Sequence, residues 1–152
     1  MLARYLFLNA AAIFSRADRP AYVEAMLLRE NPGLRDFKLR YENPIGEQAA
    51  VDLSSHEELK TIEFETLPHD HCLLYRLNPV EVDLSDTGVT AIKSLRHINR
   101  LKRLKLAGAP IRDLDALLKI SNLDYVLIDK RQAVVIQRLN LRPNVRIEIR
   151  AE

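Results

Sequence analysis

Apolar residues recur along this chain in a fixed local pattern, spaced about 22 residues apart. The stretch Leu101-Lys102-Arg103-Leu104-Lys105-Leu106 is apolar at its first, fourth and sixth positions. Leu123, Val126 and Ile128 repeat the pattern downstream, and Pro79, Val82 and Leu84 repeat it upstream. Further back stand Leu59, Ile62 and Phe64, then Leu34, Phe37 and Leu39. Near the C-terminus Ile147 and Ile149 fit, with Asn144 at the first position. The successive steps from Leu34 are 25, 20, 22, 22 and 21 residues. A period of this length signals stacked supersecondary units that share one core. The fourth and sixth positions point the same way from a strand, because strand side chains alternate. The charged residues between them, such as Glu63, Asp83 and Lys105, then face the opposite side.

Between the expected strands the spacing becomes helical. Ala91, Ile92, Leu95 and Ile98 form one apolar stripe, and Leu114, Leu117 and Leu118 form the next. Thr90 is placed to cap the first helix and Asp113 the second. Gly88 and Gly108-Ala109-Pro110 mark turns leaving the strands. Each unit reads as strand, turn, short helix and return, which stacks into a parallel solenoid.

The segments Val82-Asp83-Leu84-Ser85-Asp86-Thr87 and Leu104-Lys105-Leu106-Ala107-Gly108-Ala109-Pro110-Ile111 resemble the leucine-rich-repeat family. They are most similar to its short 22-residue class, common in bacterial repeat proteins. The resemblance implies an α/β solenoid with parallel strands on a concave face and short helices or turns on a convex face. In that family a polar residue just after the strand closes the turn. Thr87 matches that position, whereas Ala109 and Arg131 depart from it.

A solenoid needs its core covered at the ends. Residues 1–33 read as an N-terminal helical cap, and 34–152 as about six strand units. The cap is expected as one apolar helix over Leu2–Phe14 and a second starting near Pro20. The second carries Tyr22, Val23, Met26 and Leu27 on one side and is stopped by Asn31-Pro32-Gly33. At the other end, a helix over Ala133–Leu139 and a last strand over Arg146–Arg150 are expected. The apolar start also has the outline of a secretory signal, but its basic region is thin and Ser15-Arg16-Ala17 is a poor cleavage site. A buried helix is the preferred reading. An origin in a longer protein stays open.

Hydrophobic residues make up 47% and charged residues 29%, which argues against long disorder. The net charge of +2 gives no global attraction for nucleic acid or anionic lipid. A single cysteine, Cys72, excludes an intramolecular disulfide and suits a cytoplasmic setting. No segment has the apolar length of a membrane span.

The resemblance places binding on the concave sheet, where side chains are held by rigid strands and are not needed for the core. The outward positions suggest an acidic patch of Glu63, Glu65, Glu81 and Asp83 beside a basic one of Lys102, Arg103 and Lys105. Tyr125 beside them is a candidate contact anchor. The same alternation also fits a cross-strand charge ladder that only stabilises the sheet. The cations from Lys93 to Lys105 lack interleaved aromatics and divide between helix and strand, which speaks against nucleic acid. His69-Asp70-His71-Cys72 carries four possible metal ligands, but neighbours in sequence rarely converge on one ion. Ser54-Ser55-His56 does not make a triad, and there is no glycine-rich phosphate loop. The expectation is a non-catalytic interaction domain, with no cofactor, that binds another protein. The alternatives are a structural or regulatory segment of a larger protein and, behind it, an enzyme with a noncanonical site. Homodimerisation through a solenoid end or the N-terminal helices stays open.

Overall fold

The structure is a computed structural model that describes residues 19–35, 37, 40–42, 49–63, 74 and 77–151. Helix α1 spans Arg19–Glu30. Six strands follow: β1 (Arg40–Glu42), β2 (Ala50–Asp52), β3 (Glu81–Asp83), β4 (Arg103–Lys105), β5 (Tyr125–Ile128) and β6 (Arg146–Ile149). They form one sheet in sequence order. β1 is antiparallel to β2, and every later pair is parallel. Short 3₁₀ helices at Lys93–His97 and Leu114–Lys119 carry the chain back between parallel strands, and helix α2 (Lys130–Ile136) does so after β5. The chain is thus of the α/β class.

The register shows why the apolar spacing matters. Val51, Val82, Leu104, Val126 and Ile147 lie side by side across the parallel strands. The first four are at most 1% exposed. On the helical side Leu95 and Leu117 fill one layer and Ile98 and Ile120 another, all buried. The same core takes in Val23, Met26 and Leu27 of α1. Burying a leucine or valine of this kind contributes roughly 1.5–3 kcal/mol.

Polar side chains tie neighbouring units together. Asp113 accepts the backbone N–H of Ile92 at 3.0 Å and of Lys93 at 3.0 Å. Gln132 donates to the carbonyls of Leu106 and Ala109 at 2.8 and 2.9 Å. Arg142 donates to the carbonyls of Ile120, Ser121 and Leu123. Asn31 uses its whole amide, donating to Leu27 and Thr61 carbonyls and accepting from Lys60 and Thr61 amides. Backbone groups in short helices and turns lack internal partners, so a neighbouring unit supplies them.

No strand runs through Leu59–Ile62; both residues are fully buried, but from a connection. The backbone of Lys60 and Thr61 is bonded to Asn31, so it does not enter the sheet ladder. The strand in that place is β2. Its Val51-Asp52-Leu53-Ser54 repeats Val82-Asp83-Leu84-Ser85, 31 residues apart in the register. The unit at Leu34 and Phe37 contributes buried side chains, its Leu39 lies outside the described residues, and the strand described after it, Arg40–Glu42, runs antiparallel to β2.

The expected helices after Thr90 and Asp113 are five- and six-residue 3₁₀ turns with no side-chain cap. Asp113 serves the preceding turn instead of its own. Thr87 bonds the Leu84 carbonyl at 2.8 Å within its own turn. Where Ala109 lacks a polar group, Gln132 reaches back to fill the role. The last helix starts at Lys130 rather than Ala133, because Asp129 and Gln132 form a reciprocal capping box. Asp129 is that N-cap. The last strand ends at Ile149. The helix expected over Leu2–Phe14 lies outside the described residues, as do Phe64, Glu65 and the His69–Cys72 stretch.

Left-handed backbone recurs at one place in three units. Ser55, Asp86 and Gly108 have φ of 67°, 57° and 82°. Each follows its strand by the same interval. A Cβ on Gly108 would sit 2.1 Å from Asp86 Oδ1, so glycine is needed there for space as well as for φ.

Candidate binding face

Side chains that alternate away from the core make a polar surface on the other side of the sheet. The register orders them into two rows. One row reads Ala50, Glu81, Arg103, Tyr125, Arg146. The other reads Arg40, Asp52, Asp83, Lys105, Leu127, Glu148.

Glu81 lies at the centre of the charge pattern. One of its oxygens meets Arg103 Nε at 3.0 Å, and the other meets Lys105 Nζ at 3.0 Å. Arg103 is directly opposite Glu81 and Lys105 is diagonal to it, the two positions from which strand neighbours interact. These groups are one quarter to one half exposed, so each pair contributes no more than about 1 kcal/mol. The hydrogen bond to Glu81 raises the Lys105 ammonium above its ordinary range, against a smaller opposing effect of burial, with Asp83 adding to the rise.

Tyr125 carries the row onward. The Arg103 guanidinium lies 4.3 Å from its ring centre, and that of Arg146 lies 5.9 Å away. The ring is therefore flanked by two cations, an arrangement worth roughly 0.5–1 kcal/mol per contact at exposed sites. The phenol donates to Glu148 at 2.8 Å, and burial together with that bond pushes its pKa up. Only 8% of the residue is exposed. Tyr125 is a covered platform beneath the arginines rather than a protruding anchor.

Asp52 begins the acidic side. Burial alone would raise its carboxyl, but the Ser54 hydroxyl at 2.6 Å and amide at 2.9 Å outweigh that, helped by Arg40 and Lys105, and the net shift is downward. Asp83 makes the same turn, accepting the Ser85 amide at 2.9 Å. The strand-exit aspartate is thus used twice, once for the turn and once for the charge of the face.

The structure gathers five of the residues expected from sequence, Glu81, Asp83, Arg103, Lys105 and Tyr125, on three adjacent strands. Glu63 lies outside the strands, and one of its carboxylate oxygens is buried without a hydrogen bond. Glu65 lies outside the described residues. Asp52 takes their place in the acidic patch. The sequence signal that marks it is the repeated Val-Asp-Leu-Ser, hidden from a search at a fixed 22-residue period.

A further clasp closes the far end of the face. Arg150 holds Asp86 with two hydrogen bonds of 2.8 and 3.0 Å across 64 residues. The pair passes over Gly108, whose missing side chain leaves the room. Asp129 lies nearby, bonded to the Gly108 amide at 2.9 Å. Open grooves flank the sheet at both strand ends. One of about 550 Å³ is lined by Gly108, Asp129, Gln132 and Arg150. The other, about 980 Å³, is lined by Glu81, Arg100, Lys102, Arg103 and Asn122. No described helix is long and apolar enough to cross a membrane.

No family model, curated protein or solved structure matches this chain.

Proposed function

We propose that the chain is a short leucine-rich-repeat solenoid that binds another protein through the polar face of its sheet, without catalysis. The observation that carries this reading is the Glu81–Arg103–Tyr125–Arg146 row, with Asp83 and Lys105 beside it. It presents both charge signs on rigid strands, with the guanidiniums of Arg103 and Arg146 set over the covered Tyr125 ring. The steps of 22, 22 and 21 residues between Val82, Leu104, Val126 and Ile147 in the register support the repeat. The shared left-handed residue after three strands supports it further.

A partner of mixed charge fits such a face. It must offer a carboxylate to Arg103 and a donor to Asp83, because Glu81 is already shared between two cations. Rim contacts of this kind set orientation and association rate more than affinity. Moderate, salt-sensitive binding follows.

One observation favours a second reading. Arg103 and Lys105 are already paired with Glu81, as in a ladder whose role is sheet stability. In that case the chain is a structural or regulatory segment of a larger protein. The Arg103→Glu, Lys105→Glu double variant separates the two. Binding to a captured protein should fall at least tenfold, about 1.4 kcal/mol, while thermal stability drops by less than about 2 kcal/mol. Normal binding by a folded variant would remove the face from the interface.

A further inference from the structure

β6 has one free edge among the described residues. It pairs with β5 through Arg146, Ile147, Glu148 and Ile149, and no other described strand lies beyond it. The amides of Arg146 and Arg150 donate back to Asp124 and Ile128 at 2.8 Å each. Backbone groups alternate in direction along a strand, so the N–H and C=O of Ile147 and Ile149 point outward. Their side chains are also uncovered. Ile147 is 42% and Ile149 49% exposed, whereas their neighbours Val126 and Ile128 are fully buried. They border an apolar groove of about 370 Å³ with Ile136, Leu139, Leu141 and Val145.

A free edge with an apolar flank is a template for another strand. The order of charges along it selects the partner. On the polar side the edge reads Arg146, Glu148, Arg150. In an antiparallel pair of two copies, residues that face each other lie on the same side of the sheet. Centring the two-fold axis on Glu148 would set Glu148 against itself and Arg146 against Arg150, all like charges. Centring it on Ile147 sets Arg146 against Glu148 of the second copy, twice over. That register also sets Ile147 against itself and Val145 against Ile149, and it aligns the outward N–H and C=O of Ile147 as a hydrogen-bonded pair. Centring on Ile149 would need Arg150, which is already held by both oxygens of Asp86, whereas the contacts of Glu148 with Tyr125 and Arg146 of its own chain both fall on Oε2.

We propose that two copies of this chain associate through β6, antiparallel and centred on Ile147, so that the sheet and its apolar core continue across a two-fold axis. The contact shares Arg146 with the proposed binding row, and association of the chain alone reads it apart from any other partner. The contact is isologous, so each substitution acts twice.

Sedimentation velocity over a range of concentrations tests it. The wild-type chain should shift from monomer to dimer as concentration rises. Glu148→Arg places two pairs of arginines in opposition and should weaken association by about tenfold or more. The swapped variant Arg146→Glu, Glu148→Arg restores opposite charges in the Ile147-centred register and should recover the dimer. In the Ile149-centred register the swap would set the substituted cation of Glu148→Arg against Arg150 and fail to recover it. Should Glu148→Arg lose its fold with its bond to Tyr125, Ile147→Asp reads the same contact at an exposed residue. A wild-type chain that stays monomeric overturns the proposal and assigns the edge to another occupant. So does a dimer that neither variant weakens, or one that the swap does not recover.

Discussion

Asn31 is 2% exposed and spends all of its hydrogen-bonding capacity on backbone. It closes α1, receives the amides of Lys60 and Thr61, and so joins the helix to a connection that has no ladder of its own. Removing a group of this kind leaves several part-buried donors and acceptors without partners, each costing about 1–3 kcal/mol before relaxation. Asn31→Ala should therefore lower the unfolding free energy by about 2–4 kcal/mol, read as a fall in the urea midpoint. A change within about 0.5 kcal/mol would mean that water serves these groups equally well. In the sequence Asn31 is legible only as a helix stop. Its second role depends on residues about thirty positions away, which no local pattern reports.

At the scale of the strand, the face is a charge ladder with an aromatic member, and its titration should show in stability. The Tyr125 phenol is raised above the ordinary 10.0 by burial and its bond to Glu148. Lys105 is raised above 10.5 by its bond to Glu81. In both cases the folded state holds the proton more tightly than the unfolded chain. Their stabilisation is fully present below those ordinary values and is lost as pH climbs through the raised ones. Unfolding free energy measured by urea should fall as pH rises past 10, and Tyr125→Phe should make that fall shallower. An alkaline profile unchanged by Tyr125→Phe and by Lys105→Met would show that neither proton is linked to folding.

The strands themselves are unevenly legible. β3, β4 and β5 stand where equal 22-residue steps place them, because one strand and one short return repeat without insertion. β2 is hidden by a 31-residue step, although Val51-Asp52-Leu53-Ser54 announces it. Leu59 and Ile62 imitate a strand because burial, not strand geometry, sets apolar spacing. Glu63 is carried onto the face by that imitation. The helical stripes are correctly apolar, but five or six residues are too few to fix an α-helix over a 3₁₀ turn.

In the whole molecule, Asp113, Gln132 and Arg142 complete the backbone of the unit before their own, and Asn31 that of a later connection. Stability therefore passes along the sheet by neighbour contacts, and the polar face is left free of core duties. Chemical modification of lysines, with and without a bound partner, tests that division most directly. Lys102 and Lys105 lie on or beside the face, while Lys93 and Lys119 stand exposed on the helical side. A bound protein should shield Lys102 and Lys105 and leave Lys93 and Lys119 as reactive as before. Shielding of Lys93 and Lys119 alone would put the interface on the helical side and contradict that division.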